Sequence, residues 1–144
     1  MLIERRDRDD PELVALATAQ QRELATLEGE THISFPLYQR IEFLVGLIDG
    51  VPIACGALQD LEPGVGEIKR MYVLPGYRGR GLSRQILKAI EDLAAGRGLH
   101  TLRLETGRFL PAALGLYTSS GYTEIPLFGQ YVGHETSICF EKTI

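Results

Sequence analysis

The chain has 144 residues, of which 44% are hydrophobic and 24% are charged. Its 19 acidic and 15 basic residues give a formal net charge of −4, which argues against general nucleic-acid binding. This size and composition are typical of one globular domain, so we expect residues 1–144 to form a single domain. No apolar run approaches the ~20 residues that span a bilayer, and the first residues lack the apolar core of a signal peptide. The sequence therefore favours a cytoplasmic protein with no membrane contact.

The first third of the sequence predicts a strand, a long helix and a loop. Residues 1–6 suit a short edge strand. Acidic residues and a proline at 9–11 are typical of a helix start, and apolar residues between 13 and 27 recur at helical spacing. This helix is expected to end near Gly29. Residues 30–38 show no clear period and indicate a loop.

Three strands then follow in an antiparallel meander. Two apolar runs, 42–48 and 51–58, are joined by Asp49-Gly50, a pair that tolerates positive φ at both positions and therefore marks a hairpin. A second turn at residues 62–64 contains proline and glycine and leads into a third strand over 66–73. The sheet is thus expected to begin with consecutive antiparallel strands.

The second half of the sequence predicts a β–α–β unit and a mixed sheet. Apolar residues recur every three to four positions from 82 to 95, which predicts an amphipathic helix stopped by glycines at 96 and 98. A strand over 99–105 should lie parallel to the strand before this helix, because short β–α–β connections favour that arrangement. A short helix starting near Pro111 and a final strand over 136–142 complete an α/β (α+β) domain.

The turn between the third strand and the long helix carries the most distinctive chemistry. Five basic residues and no acidic one lie between Lys69 and Arg84, so positive charge is concentrated here in an acidic protein. Gly79 and Gly81 allow positive φ and a close approach of main-chain amides, and the following helix N-terminus attracts anions. Neither the Walker pattern nor the dinucleotide pattern of glycines fits. A phosphate-binding loop and a solvated basic turn are the alternatives.

Two motifs give this chain a resemblance to a known family. Arg78-x-x-Gly81-x-Ser83 resembles the Gln/Arg-x-x-Gly-x-Gly/Ala loop with which GNAT-superfamily N-acetyltransferases hold the pyrophosphate of acyl-CoA, with serine at its last position. The second motif is a late helix, commonly written Asn-x-x-Ala-x-x-Leu-Tyr-x-x-x-Gly-Phe/Tyr in that family. Leu110 stands at its asparagine position. The resemblance covers about residues 43–122 and implies a splayed central sheet with helices on both faces. The late helix, about 30 residues after the first motif, matches at Ala113, Leu116, Tyr117, Gly121 and Tyr122.

The resemblance also implies a site for acetyl-CoA between the parallel strands. In the acetyl transfer that this family catalyses, the main-chain N–H of Val73 would stabilise the oxyanion that forms on the thioester carbonyl. Tyr117 would protonate the CoA thiolate as it leaves. A tyrosine packed in the core is the alternative for Tyr117. The residues expected to bind acetyl-CoA are Met71, Tyr72, Val73, Arg78, Gly79, Arg80, Gly81, Leu82, Ser83 and Arg84.

Glu67 is the candidate general base. It lies six residues before Val73, the offset at which one branch of the family carries a glutamate base. Regular alternation predicts that the odd-numbered positions from 67 to 73 face one side of the sheet and the even-numbered positions the other. An adjacent lysine or arginine would instead make Glu67 a salt-bridge partner. Removal of the amine proton through ordered water is a competing mechanism.

The resemblance therefore implies an enzyme that transfers an acetyl group from acetyl-CoA to the primary amine of a small or amino-acid-like molecule by direct attack. A non-catalytic acyl-CoA-binding module and a peptide or protein N-acetyltransferase are the alternatives. The family also places the loop 30–38 beside the acceptor and implies a homodimer. Candidates for binding an acceptor carboxylate are Arg40, Arg108 and Tyr131, and an ordinary surface residue is the equal alternative for each.

Cysteines and histidines show no metal-ligand spacing. Cys55 and Cys139 lie in strand-like segments, and His32, His100 and His134 are widely separated. We therefore expect reduced, buried thiols and no metal cofactor.

Overall fold

The computed structural model describes residues 1–29, 32–38 and 40–144. Within these residues the strand order of the sheet is β1-β2-β3-β4-β5-β7-β6, with β4 and β5 parallel and all other neighbours antiparallel. This architecture confirms the mixed α/β fold expected from the sequence. The strands are β1 (Leu2–Arg6), β2 (Ile41–Ile48), β3 (Val51–Glu62), β4 (Val65–Val73), β5 (Thr101–Gly107), β6 (Thr123–Ile125) and β7 (Ser137–Thr143), and the helices are α1 (Pro11–Glu28), α2 (Leu82–Gly96) and α3 (Pro111–Ser119).

The hairpin is confirmed, whereas β6 is a strand that the pattern did not predict. The turn between β2 and β3 has Asp49 at φ 50° and Gly50 at φ 78°, as a tight hairpin requires. β6 has three residues and pairs with β7 at the edge of the sheet, so it is too short to show alternation. The predicted loop is observed over 32–38, and positions 30 and 31 lie outside the described residues.

Two hydrophobic cores cover the two faces of the sheet. On one face, α2 packs Ile86 and Ile90 against the strands, together with residues of α3. On the other face, α1 contributes Leu13 and Leu16, which pack in one cluster with Tyr72 of β4. Helices therefore lie on both faces, as expected, because each helix buries one apolar stripe. No helix in the described ranges is long and apolar enough to cross a membrane.

β4 and β5 separate along their length. Their parallel pairing covers four residue pairs, from Val65 to Ile68 of β4. Beyond these pairs β4 continues to Val73 and β5 to Gly107. The two strands therefore leave a V-shaped gap at their carboxyl ends, the edge at which open α/β sheets commonly bind ligands.

A β-bulge in β4 corrects the expected alternation. Between the pairs formed by Lys69 and Tyr72, two residues of β4 lie opposite the single residue Gly56 of β3, and Arg70 has a φ of 55°. The extra residue turns the following side chains over. Ile68 and Met71 contact the core on the α2 face, whereas Tyr72 packs on the α1 face. Strict alternation along β4 is therefore wrong beyond the bulge.

Candidate functional site

The gap between β4 and β5 presents main-chain groups of β4. Leu74 donates its N–H to β3, so alternation along the strand points the N–H and C=O groups of Met71 and Val73 towards the gap. Both carbonyls already have side-chain donors, because Gln20 Nε2 lies 2.8 Å from the Met71 oxygen and Arg78 Nε lies 2.9 Å from the Val73 oxygen. The N–H groups of the same two residues are therefore the donors that this edge offers to a ligand.

The glycine turn leaves the first amides of α2 accessible. Gly79 and Gly81 have φ values of 79° and 74°, and a side chain added at either would meet no described protein atom within 4 Å. Gly81 precedes the helix, no side chain in the described ranges caps it, and Gln85 donates to Gly81 O at 3.3 Å. The amides ahead of Gln85 and the positive end of the helix dipole therefore suit an anion such as a pyrophosphate.

Neighbouring side chains hold the arginines of this turn. Arg78 Nη2 donates to both carboxylate oxygens of Glu23 on α1 at 2.9 Å. Arg80 lies over a tyrosine ring, and Arg84 Nη2 donates to Ser119 Oγ at 2.6 Å. Among the described residues, Arg80 and Arg84 have no carboxylate within 4.0 Å, so their charge is available to a phosphate.

Two connected cavities fill the gap. The outer cavity, here called the groove, runs along the end of β4, the glycine turn and the start of α3. Eight of the ten residues predicted to bind acetyl-CoA line it, whereas Arg80 and Arg84 do not. Gln20, Met71 and Leu110 line both cavities and so mark their junction. The inner cavity, here called the chamber, is lined by Lys69, Arg70, Glu105, Tyr117, Tyr131 and His134, among others.

A buried hydrogen-bonded cluster forms one wall of the chamber. The Tyr131 hydroxyl donates to Glu67 Oε2 at 2.5 Å and accepts from Lys69 Nζ at 2.5 Å, and Lys69 Nζ lies 3.5 Å from Glu67 Oε2. All three residues are nearly inaccessible, with Glu67 1% exposed. Burial raises the pKa of Tyr131, and the charge of Glu67 raises it further, so the hydroxyl stays protonated. Lys69 and Tyr131 line the chamber, and the Glu67 carboxylate lies behind them.

A second carboxylate, Glu105, lines the chamber from the end of β5. Ser137 Oγ donates to Glu105 Oε2, and His134 Nδ1 lies 2.6 Å from Ser137 Oγ. Burial raises the pKa of Glu105, while the Ser137 hydrogen bond and the charge of Lys69 partly oppose that shift. A chamber-lining carboxylate with a raised pKa is suited to proton transfer. No sequence signal points to Glu105, because a single glutamate near the end of a strand matches no motif.

Tyr117 lies where the chamber meets α3. It is 5% exposed, and its ring packs edge to face with Tyr122 at a centroid distance of 5.8 Å. Burial raises the pKa of Tyr117, and the charge of Glu105 adds to the shift, so the hydroxyl holds its proton at neutral pH. The nearby Leu110 presents an apolar side chain to both cavities, so it cannot supply the polar contact of the family's asparagine.

Two of the three predicted carboxylate binders lie away from the chamber. The side chains of Arg40 and Arg108 are 85% and 55% exposed, and each faces a protein carboxylate within 4.0 Å. Neither lines the chamber, so the structure favours the alternative that both are surface residues. Tyr131 does line it, but its hydroxyl is engaged with Glu67. No motif singles out Arg70, which is one of the two basic residues close to Glu67 in the sequence, yet Arg70 lines the chamber.

Both cysteines are buried and unpaired, as expected. Burial raises the pKa of Cys55 to about 12 and that of Cys139 to about 11. Both thiols therefore stay protonated at neutral pH, which makes them poor nucleophiles. In the described part of the chain, no three His, Cys, Asp or Glu side chains come together as metal ligands.

Comparison with known proteins gives consistent matches. Residues 8–122 match the model of the acetyltransferase (GNAT) family. The "IAA acetyltransferase" of Azospirillum brasilense is 40% identical over 105 residues, which are 72% of this chain and 69% of that relative. A Klebsiella pneumoniae structure named "putative acyl-CoA N-acyltransferase" is 36% identical, with a TM-score of 0.86 over 99% of this chain and 96% of that chain. The PaiA N-acetyltransferase of Thermoplasma acidophilum, in complex with coenzyme A, shares the fold at 17% identity, with a TM-score of 0.75 over 100% of both chains.

Proposed function

Since this chain belongs to the GNAT acetyltransferase family, we propose that it transfers the acetyl group of acetyl-CoA to the primary amine of a small molecule. The observation that carries this proposal is the gap between β4 and β5. It joins a helix N-terminus that no described side chain caps, by way of the groove, to the chamber that Glu105 and Tyr117 line. An anion-binding end, a channel and a proton-transfer end therefore occur in the order that an acyl-CoA molecule requires.

The residues that line the groove fit acetyl-CoA. The α2 amides suit its pyrophosphate, and the N–H groups of Met71 and Val73 face the path of its pantetheine arm. Gln20 Oε1 is a buried acceptor with no hydrogen-bond partner among the described residues, and Gln20 lies at the junction of groove and chamber. Buried acceptors are normally paired, and the amide N–H groups of a pantetheine arm would pair this one.

The chemistry requires one bond to form and one to break. The acceptor amine attacks the thioester carbonyl, the C–S bond breaks, and one proton leaves the nitrogen while the sulfur gains one. In this proposal the Val73 N–H stabilises the oxyanion. Tyr117 holds the proton that the thiolate receives. Glu105 accepts the amine proton, and Ser137 and His134 extend a hydrogen-bonded path beyond it.

Glu105 takes the role of base here because of its position. Glu105 lines the chamber, whereas Glu67 lies behind Lys69 and Tyr131 and bonds to both. Glu67 as the base stays a prediction, and separate Glu67→Gln and Glu105→Gln variants distinguish the two carboxylates. If the acid limb of the pH dependence of kcat/KM disappears in Glu67→Gln and persists in Glu105→Gln, Glu67 is the general base.

The closure of the chamber favours a small acceptor over a peptide. Phe35 packs edge to face on Tyr131 at 4.8 Å and on His134 at 5.2 Å. Thr136 Oγ1 donates to Glu28 of α1 at 3.1 Å, which links the segment before β7 to the helix on that side. These contacts enclose the chamber beside residues 32–38. The name of the relative from Azospirillum brasilense also supports acetylation of a small molecule.

Thiol release from acetyl-CoA tests the proposal. The assay uses a panel of amines, polyamines, amino acids and short peptides, with the wild-type protein and Tyr117→Phe. Because Phe keeps the packing and lacks the hydroxyl proton, kcat should fall at least about tenfold. This corresponds to an activation barrier that is higher by ~1.4 kcal/mol. Tyr38→Phe is the matched control, since Tyr38 is 49% exposed.

Two results would contradict the proposal at different points. Equal rates for the wild type and Tyr117→Phe would remove the proton-donor role while leaving the enzyme class intact. Saturable CoA binding with no thiol release from acetyl-CoA in the presence of any acceptor would instead support an acyl-CoA-binding module. Turnover of peptides with no turnover of small amines would support the peptide or protein N-acetyltransferase.

A further inference from the structure

Arg70 is a half-buried cation with no carboxylate beside it among the described residues. Three arginines, Arg6, Arg70 and Arg103, are half-buried in the described part of the chain. Arg6 meets Glu4, Asp10 and Glu12, and Arg103 meets Glu62 and Glu141, all within 4.0 Å. Arg70 meets no carboxylate within that distance among the described residues, and its Nη2 donates only to the Phe35 carbonyl, at 3.5 Å.

No described carboxylate therefore compensates the charge of Arg70 beside the chamber. Burial lowers the pKa of Arg70, and the neighbouring Tyr131 opposes that shift. A guanidinium nevertheless remains charged in a protein, and removing it from water is costly when no anion is near. Lys69, the other cation of the chamber wall, differs because its ammonium bonds to Tyr131 and lies beside Glu67. Arg70 is thus the chamber cation that still offers a site to an anion.

The backbone at Arg70 adds a second, independent observation. Its φ of 55° is in the left-handed region, which a residue with a side chain enters at a cost of ~1–2 kcal/mol. The bulge at this position also ends the alternation of β4. Strained non-glycine residues in bulges recur where a side chain must be aimed at a ligand. Here the residue held in that conformation lines the chamber.

The chamber also has an acidic side. Glu105 lines it from β5, on the other side of the gap from Arg70 of β4. A molecule with an amine and a carboxylate would place its amine towards Glu105 and its carboxylate towards the guanidinium, which binds carboxylates through two parallel N–H donors. A neutral monoamine would leave the half-buried Arg70 without an anion to pair with.

We infer that the acceptor is an amino carboxylate and that Arg70 binds its carboxylate. This inference rests on the proposed function, because it identifies the substrate class of the same chamber. Arg70 acts in it as a specificity-determining residue, and its guanidinium takes no part in the proton transfers.

The test compares acceptors that differ only in the carboxylate. Thiol release at saturating acetyl-CoA is measured for the twenty proteinogenic L-amino acids, β-alanine and γ-aminobutyrate, each beside its carboxamide. For the wild type, kcat/KM for an accepted amino acid should exceed that for its carboxamide at least tenfold. Arg70→Gln should lower kcat/KM for the amino acid by ten- to a hundredfold, the range for one charge-assisted hydrogen bond, and change the carboxamide less than threefold.

Two further variants separate recognition from folding. Arg70→Lys keeps the charge without the planar fork, so it should recover part of the preference for the carboxylate. Arg40→Gln removes an 85% exposed guanidinium and should behave as the wild type. The KM for acetyl-CoA should be unchanged in all three variants.

The outcomes distinguish this inference from the proposed function. Thiol release with amines but without preference for the carboxylate, or an equal loss on both acceptors in Arg70→Gln, would overturn the inference and leave the transferase intact. No thiol release with any acceptor would overturn the proposed function. In that case calorimetry of the CoA complex with the same amino acids tests the role of Arg70. Binding that depends on the carboxylate and is lost in Arg70→Gln would support the inference. An absence of amino-acid binding would refute it.

Discussion

Replacing Tyr131 by phenylalanine would test whether one hydroxyl holds the wall of the chamber together. In the structure that hydroxyl donates to Glu67 at 2.5 Å and accepts from Lys69 at 2.5 Å. The substitution keeps the ring and its edge-to-face contact with Phe35, whose centroid lies 4.8 Å away. The perturbation is therefore the loss of two polar contacts in a site with almost no solvent.

The size of the effect follows from the groups that remain. Hydrogen bonds to charged groups contribute about 1.5–3 kcal/mol each, and a buried group left without one loses its compensation for desolvation. Lys69 and Glu67 are 3.5 Å apart, so they retain part of their attraction after the substitution. We therefore expect about 2 kcal/mol of destabilisation rather than the sum of two full bonds. For a chain of this length this corresponds to a fall in Tm of roughly 7 °C.

Urea unfolding monitored by circular dichroism would measure the change. The midpoint should fall at an unchanged m-value, because the surface exposed on unfolding is the same. Tyr38→Phe provides the control, since Tyr38 is 49% exposed and should shift stability by less than about 0.5 kcal/mol. A change that small in Tyr131→Phe would refute the reasoning, because it would mean that Lys69 and Glu67 stabilise each other without the hydroxyl.

Two other substitutions test the groups at either end of the gap. Because the pKa of Glu105 is raised above 4.5, the acid limb of kcat/KM should lie above that pH and disappear in Glu105→Gln, with a rate about a hundredfold lower. The same shift means that the folded state binds more protons than the unfolded state, so native stability should fall as pH rises from 4.5 through the folded pKa, and Glu105→Gln should abolish that fall. Gly81→Ala imposes a side chain at φ 74°, so it should cost ~1–2 kcal/mol of stability and raise the KM for acetyl-CoA severalfold. Gly50→Ala, at φ 78° in the β2–β3 hairpin, is the matched control, and an equal change in KM for both variants would exclude a close approach of the pyrophosphate at Gly81.

Local signals were sufficient to predict most of the fold. Asp49-Gly50 fixes a hairpin by itself, and the apolar stripe of α2 needs only its own period and its terminal glycines. Gly79 and Gly81 marked the turn before α2, because glycine adopts positive φ readily and both residues have it in the structure. Each of these features depends on residues that are close in sequence, so pattern and structure agree.

The bulge and the chamber depend on contacts that no local pattern contains. The bulge at Arg70 interrupts the alternation of β4, and no glycine in the sequence indicates it. The face of the sheet on which Tyr72 lies could therefore not be predicted. Glu105 gains its raised pKa from burial, while Ser137, Lys69 and His134, which are distant from it in sequence, oppose that shift. The sequence analysis named Arg40 and not Arg70 as a carboxylate binder, because only the tertiary structure separates an exposed arginine from one that lines a chamber.

Three local costs meet at the same gap. Among the described residues, no side chain caps the start of α2, β4 and β5 stop pairing after four residue pairs, and Arg70 adopts a left-handed conformation with no carboxylate within 4.0 Å. Any one of these would be an ordinary imperfection elsewhere in a protein, where a cap, a ladder bond or an ion pair would remove it. Their coincidence around one pair of cavities is better explained by ligands that complete all three, with a pyrophosphate at the helix, a pantetheine arm along β4 and an acceptor carboxylate at Arg70. On this argument, stability should rise when both ligands are bound, and by more than CoA alone produces.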